Sequence, residues 1–262
     1  NGAELLNPLR DLELLSRTFE NRGAQVTTAT NLSAEQIGNA IGGFLTNAAR
    51  NANAVWLGYS GHAVQIDGRN WLQGVESDFS SPRRVREAGI DLDRICAQLM
   101  RSNPAAGVVS IDACRNNPFE PERTRGTVAG LAAQQTHGLC VSFSTAPYTK
   151  ALDGESGQNS PYARALADAL AGKERKLLDD VLRETANQVY ASTRQRQIPE
   201  YRSALRRQWW FGSKGIELTG TDAQPAAPYG ASRGKTREAA YRPDEPSTDT
   251  PYDAMTDTEW KR

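Results

Sequence analysis

Residues Ala106 to Phe119 read AGVVSIDACRNNPF. Gly107 to Ile111 is rich in β-branched residues and almost free of polar groups, the composition of a strand buried on both faces of a parallel sheet. Asp112, Ala113 and Cys114 follow where that strand ends. In open α/β sheets the crevice beyond the carboxyl ends of the strands is where ligands bind. A cysteine used there needs a base. The chain holds two histidines, and one, His62, closes a second apolar run, AVWLGYSGH from Ala54. If the two runs are neighbouring parallel strands, Cys114 and His62 share one rim of the sheet, which is the arrangement a thiolate nucleophile requires.

The totals bound the answer. A chain of 262 residues with 38% apolar and 24% charged side chains fits one sizeable domain plus a segment outside its core. Lys+Arg and Asp+Glu balance at 31 each, so no global field draws it to nucleic acid or a membrane surface. No stretch approaches the roughly 20 apolar residues of a membrane span, and the opening NGAELLNPLRD has no signal-peptide core. Cys96, Cys114 and Cys140 show no framework spacing, so free thiols in a reducing, cytoplasmic compartment are expected.

Elsewhere strands and helices alternate. Asn7, Pro8 and the spacing of Leu9, Leu12, Leu15 and Phe19 predict a helix that stops near Gly23, and Ala24 to Thr28 a short strand. SAEQ from Ser33 is a capping box opening a second helix. Gln65 to Val75 reads as a turn and hairpin arm, Asp78 to Ala88 as a basic loop, and Leu92 to Met100 as a helix. Leu139 to Ser144 is the next buried strand, and Thr145 to Gln158 a loop. Helices follow from Ser160 to Leu170 and from Leu177 to Thr193, then an edge strand or hairpin over Gln208 to Leu218. Residues 219–262, with five prolines and few aliphatics, are expected to be a disordered or surface-draped tail to a domain spanning 1–218. The order predicts an α/β sheet sandwiched by helices.

YSGHAVQIDGRNWLQGVESDF resembles the histidine segment of the caspase-like cysteine peptidases, and SIDACRNNPF resembles their cysteine segment, above all in bacterial members. NPLRDLELL, the Phe143 to Pro147 loop and Asn159 to Tyr162 fall in the same family order, so the resemblance runs from Asn7 to about Pro199. It implies a caspase-like, mostly parallel sheet with helices on both faces, a three-layer sandwich. The chain departs in two places. Family members open with a buried strand that is missing here, so either the chain has been cut or an N-terminal piece removed by proteolysis stays bound as a separate fragment, a partner supplying that strand. Ala63 stands where the family carries Gly.

The resemblance makes Cys114 the nucleophile and His62 the proton donor to the leaving amine, with the backbone N–H groups of Cys114 and Ala63 as the oxyanion hole. If position 63 requires positive φ, Ala costs roughly 1 kcal/mol there. A buried structural thiol is the bland alternative for Cys114. It is the reading preferred for Cys96 and Cys140, whereas His137 reads as a surface residue. Asp112 matches the acid that metacaspases and paracaspases place before the cysteine, and Asp11 matches their second acid. Two carboxylates on one slot suit a guanidinium, so substrates with a basic P1 residue, Arg before Lys, are expected. The alternatives are that Asp11 pairs with Arg10 or Arg17 and Asp112 with Arg115.

Ser142 and Ser144 fall in a stretch expected to pair with the substrate backbone as an added strand. Asp153 is a candidate for an outer subsite, or for turn chemistry beside Gly154. Arg123 and Arg125, in the long segment after Cys114, are candidate self-cleavage sites. No carboxylate loop is dense enough for calcium, so neither a metal nor a cofactor is expected. The competing functions are an idle caspase-fold scaffold and an esterase or transferase using the same dyad.

Overall fold

The computed structural model describes residues 5, 7–114, 119, 138–147, 149–213 and 215–220. All of them lie in one compact unit, 1–223. The expected self-cleavage sites Arg123 and Arg125, His137, Arg115 and nearly all of the 219–262 tail lie outside the described residues.

The main sheet has four strands: β1 (Ala54–Ser60), β5 (Ala106–Asp112), β6 (Leu139–Phe143) and β8 (Glu200–Ser203), in the order β1-β5-β6-β8. β1, β5 and β6 are parallel, and β8 is antiparallel to β6. Alternation along these strands divides the core. Val55, Val109, Ile111, Val141 and Phe143 pack with helices α2 (Ala34–Thr46) and α4 (Leu92–Arg101). On the opposite face Ala106, Val108 and Cys140 pack with α5 (Pro161–Leu170) and α6 (Leu178–Ser192), and with Leu15 and Phe19 of α1 (Pro8–Asn21). The mixed α/β sandwich, mostly parallel and helix-flanked, follows from a sheet whose two sides both carry aliphatics.

Two smaller three-stranded sheets flank it. β2 (Ala63–Ile66), β3 (Arg69–Gln73) and β4 (Gly89–Asp91) form one, directly after His62. β9 (Gln208–Gly212) and β10 (Gly215–Thr219) are a hairpin joined by β7 (Lys176–Leu177). Gln208 to Leu218 is therefore a hairpin and does not extend the main sheet.

Local expectations are corrected in three places. Asp78 to Ala88 contains α3 (Pro82–Glu87), capped by the Ser81 hydroxyl, which accepts from Arg84 N–H, and braced by an Arg83–Glu87 pair. Ala24 to Thr28 joins no ladder; it lines a cavity of about 900 Å³ that separates it from β1. Apolar side chains from α1, α2 and β1, among them Phe19, Ile41, Phe44 and Trp56, face that cavity, and among the described strands β1 is an outer one. The third correction concerns β8. It covers the free side of β6, with Ser142 opposite Tyr201, so the stretch expected to offer substrate an open edge is paired on both sides.

Candidate active site

Register brings the two distant segments together. Ser60 of β1 pairs with Asp112 of β5, and Gly61 N–H donates to the Asp112 carbonyl at 3.1 Å. His62 and Cys114 thus each lie two residues beyond the same rung of adjacent parallel strands, whose spacing is about 4.8 Å. Both are half-buried, so neither is walled into the core. The His62 ring meets Phe79 edge-on at 5.8 Å between centroids. The Cys114 thiol donates to the Ala151 carbonyl at 3.6 Å. Burial pushes that thiol above its ordinary range; Asp112 and Asp153 push the same way and Lys150 opposes them. Burial and the two carboxyls thus favour the protonated thiol over the thiolate.

The same alternation that buries Val108 sends Asp112 towards α1 and α5. There it meets Asp11. Asp11 Oδ1 accepts Asn159 Nδ2–H and Ser160 N–H, both at 2.9 Å, and the Ser160 hydroxyl donates to Asp112 Oδ2 at 2.6 Å. The Asp11 carboxyl is buried, and its Oδ2 accepts from no described residue. Arg17 pairs with Glu13 rather than with Asp11. Asp112 is pushed up to about 6, chiefly by burial, with Ser160 and Ser144 hydroxyls opposing and Asp11 and Asp153 adding; Asp11 is raised by burial as well. Two acids brought together at one serine, with Asp11 Oδ2 left over, concentrate negative charge in a partly desolvated slot as they ionise.

Asp153 belongs to this cluster electrostatically, through its effect on both carboxyls and on Cys114. Its carbonyl accepts Asn7 Nδ2–H at 2.8 Å, next to Gly154 at φ +86°. Asn7 binds Glu155 and Gly157 too, so its amide ties the start of α1 to that loop instead of capping the helix.

Two expected substrate contacts are corrected. Ser142 is buried, with its hydroxyl bonded to that of Tyr162 at 2.8 Å, and its strand is flanked on both sides. Ser144 has no exposed surface; its N–H donates to Ile111 and its carbonyl accepts Gln197 Nε2–H, so its backbone is already occupied. Its hydroxyl accepts Ala113 N–H and faces Asp112, which makes Ser144 part of the slot's wall.

Ala63 is unstrained. It begins β2, is absent from the positive-φ residues, and buries its methyl in the core. It faces Leu72 across the ladder, while the adjacent pair is hydrogen-bonded through Gln73 N–H to the His62 carbonyl at 2.9 Å. Antiparallel pairs alternate, so Ala63 N–H points away from β3. Gly61 is needed for space rather than for a left-handed turn, because a Cβ there would lie 2.6 Å from the Tyr59 hydroxyl oxygen.

From the sequence Asn7 reads as a helix start, Ser160 as a helix cap and Asn159 and Ser160 as part of a segment in the family's order, but none of them, nor Tyr59 or Gln197, is given a role at the site. The Ser-Pro start of α5 was the one available signal.

Comparison with known proteins adds the following. The family profile described as the caspase domain matches residues 1–209. Among solved structures, the crystal structure of caspase-1 from Spodoptera frugiperda is similar at a TM-score of 0.57 and 18% identity, over 80% of this chain and 83% of that one. At that identity the likeness concerns the fold. A search of curated proteins gave no match.

Proposed function

The chain belongs to the caspase-domain family of cysteine peptidases, and from that premise we propose that it is an endopeptidase cutting after basic residues, arginine ahead of lysine. The observation that carries the specificity is the meeting of Asp11 and Asp112 at Ser160, with Asp11 Oδ2 left without a described partner. A guanidinium offers a planar fork of donors to two carboxylates, which an ammonium cannot match.

In this reading the Cys114 thiol passes its proton to His62 as Sγ attacks the scissile carbonyl carbon, and Ala63 N–H and Cys114 N–H receive the developing oxyanion. His62 gives its proton to the leaving amine, and water then hydrolyses the thioester. The cation also acts on the nucleophile. Asp112 and Asp153 help keep the thiol protonated, so a positive side chain between them and the sulfur lowers that barrier. No cofactor enters. The need for a reduced thiol favours a reducing compartment, and no described helix is long and apolar enough to cross a membrane.

A fluorogenic peptide amide ending in Arg tests the reading, against the same peptide ending in Asp or Ala and against Cys114→Ala. Turnover confined to basic peptides and lost in the variant supports it; no turnover of any peptide favours a scaffold.

Two further parts of the proposal concern processing. Arg123 and Arg125 offer basic cleavage sites in the segment after Cys114, and the active protein should convert to two bands that Cys114→Ala and Arg123→Ala/Arg125→Ala lack. The apolar cavity beside the outer strand β1 would take an extended strand from a separate N-terminal fragment. Intact-mass analysis of the natural protein after gentle purification should then show a second, β-branched-rich peptide held without a covalent link.

A further inference from the structure

The peptide group joining His62 to Ala63 has two ends that matter. Its carbonyl accepts Gln73 N–H at 2.9 Å and lies 2.7 Å from the Tyr59 hydroxyl. Its N–H is that of Ala63, and in a trans peptide plane it points opposite to the carbonyl, away from β3. Whatever aims the carbonyl therefore aims the N–H.

Tyr59 is built for this. Its hydroxyl lies 2.8 Å from the Gln73 carbonyl too, so one phenolic proton rests between two carbonyls of two different strand ends. Burial raises the phenol well above its ordinary range, so the donor persists at any working pH. Gly61 leaves the space the hydroxyl fills, and its own N–H is anchored to the Asp112 carbonyl. The turn that carries His62 is thus pinned to β5 on one side and to Tyr59 on the other.

We propose that Tyr59 is a positioning residue for the oxyanion hole: its hydroxyl sets the tilt of the 62–63 peptide plane and, by loading the carbonyl, strengthens Ala63 N–H as a donor. Hydrogen bonds along one peptide polarise one another. Oxyanion donors are effective only when held where the charge develops. The inference rests on the peptidase reading, with Ala63 N–H as one donor.

The test compares Tyr59→Phe with wild type on a basic peptide amide, with two ligands. A peptide arginine aldehyde forms a tetrahedral hemithioacetal on Cys114 and so needs the oxyanion donors; agmatine fills only the acid slot. The expected result is a fall in kcat of about tenfold, KM within twofold, aldehyde affinity down by the same factor as kcat, and agmatine affinity unchanged. Gly61→Ala, which pushes the hydroxyl aside without deleting it, should give the same split, and it carries the test if Tyr59→Phe does not fold. Both variants matching wild type in kcat and aldehyde affinity would overturn the role of Tyr59 alone. Aldehyde and agmatine affinities falling together would also overturn it, because that is loss of packing. A wild type that turns over no basic peptide removes the peptidase reading itself, and this inference with it.

Discussion

The Ser160 hydroxyl donates to Asp112 Oδ2 at 2.6 Å. The same oxygen accepts Ala163 N–H at 3.0 Å and caps α5, while the Ser160 amide holds Asp11. Ser160→Ala keeps the amide bond and removes the other two. Loss of the cap should cost about 1 kcal/mol in a denaturant titration. Loss of a donor to the carboxylate should move Asp112 further up from about 6. The acid limb of kcat/KM for an Arg peptide should move to higher pH with it. An unmoved acid limb would show that Asp112 ionisation does not govern substrate entry.

Asp112 itself sets stability and binding against each other. Its carboxyl, at about 6 in the folded chain against 3.8 ordinarily, holds its proton more firmly when folded. The stabilisation this brings is complete below about pH 4 and lost as pH climbs through about 6, at a cost of no more than about 3 kcal/mol. Cation binding needs the ionised form, so agmatine affinity should rise about tenfold per pH unit up to about 6 and then level off. Asp112→Asn should therefore unfold at higher denaturant than wild type at pH 7.5, yet lose at least about 100-fold in kcat/KM for Arg peptides. A variant both less stable and still Arg-specific would contradict the slot.

These features were legible to different depths. The apolar runs ending at His62 and Cys114 were readable because parallel strands buried on both faces leave near-continuous aliphatics, and SAEQ marked where its helix starts, with the Ser33–Gln36 box formed as expected. β8 was not readable. Glu200 to Ser203 is polar and half-exposed, and only pairing with β6 makes it a strand. That pairing is what removes Ser142 from the substrate's reach. Asp11 and Asp112 could be proposed as partners by resemblance, but their link runs through Ser160, 149 positions from Asp11 and 48 from Asp112, and depends on where α5 begins.

Ala63 gives a prediction opposite to the one its family position suggests. Its φ is ordinary and its methyl is buried, so nothing at this site asks for glycine. Ala63→Gly should lower stability by about 1 kcal/mol through backbone entropy and the lost methyl contact. It should leave kcat/KM within twofold of wild type. A gain of tenfold or more on restoring glycine would mean that the peptide must rotate during catalysis.

The thiols offer the last test. Cys96 and Cys140 are buried, and desolvation pushes both up to about 12. Cys114 is half-buried and raised less, with Asp112 and Asp153 contributing to the rise. At pH 7.5 iodoacetamide should alkylate Cys114 before either of the others, as peptide mapping would show, and the rate should keep rising with pH past 8.5 because the thiolate is the reacting form. Agmatine in the slot cancels part of the negative field, so it should speed alkylation several-fold at pH 7.5. Asp112→Asn should give a similar acceleration on its own and blunt the response to agmatine. If agmatine instead slows the wild type and leaves the variant unchanged, the slot shields the sulfur sterically and the electrostatic link between cation and nucleophile is wrong.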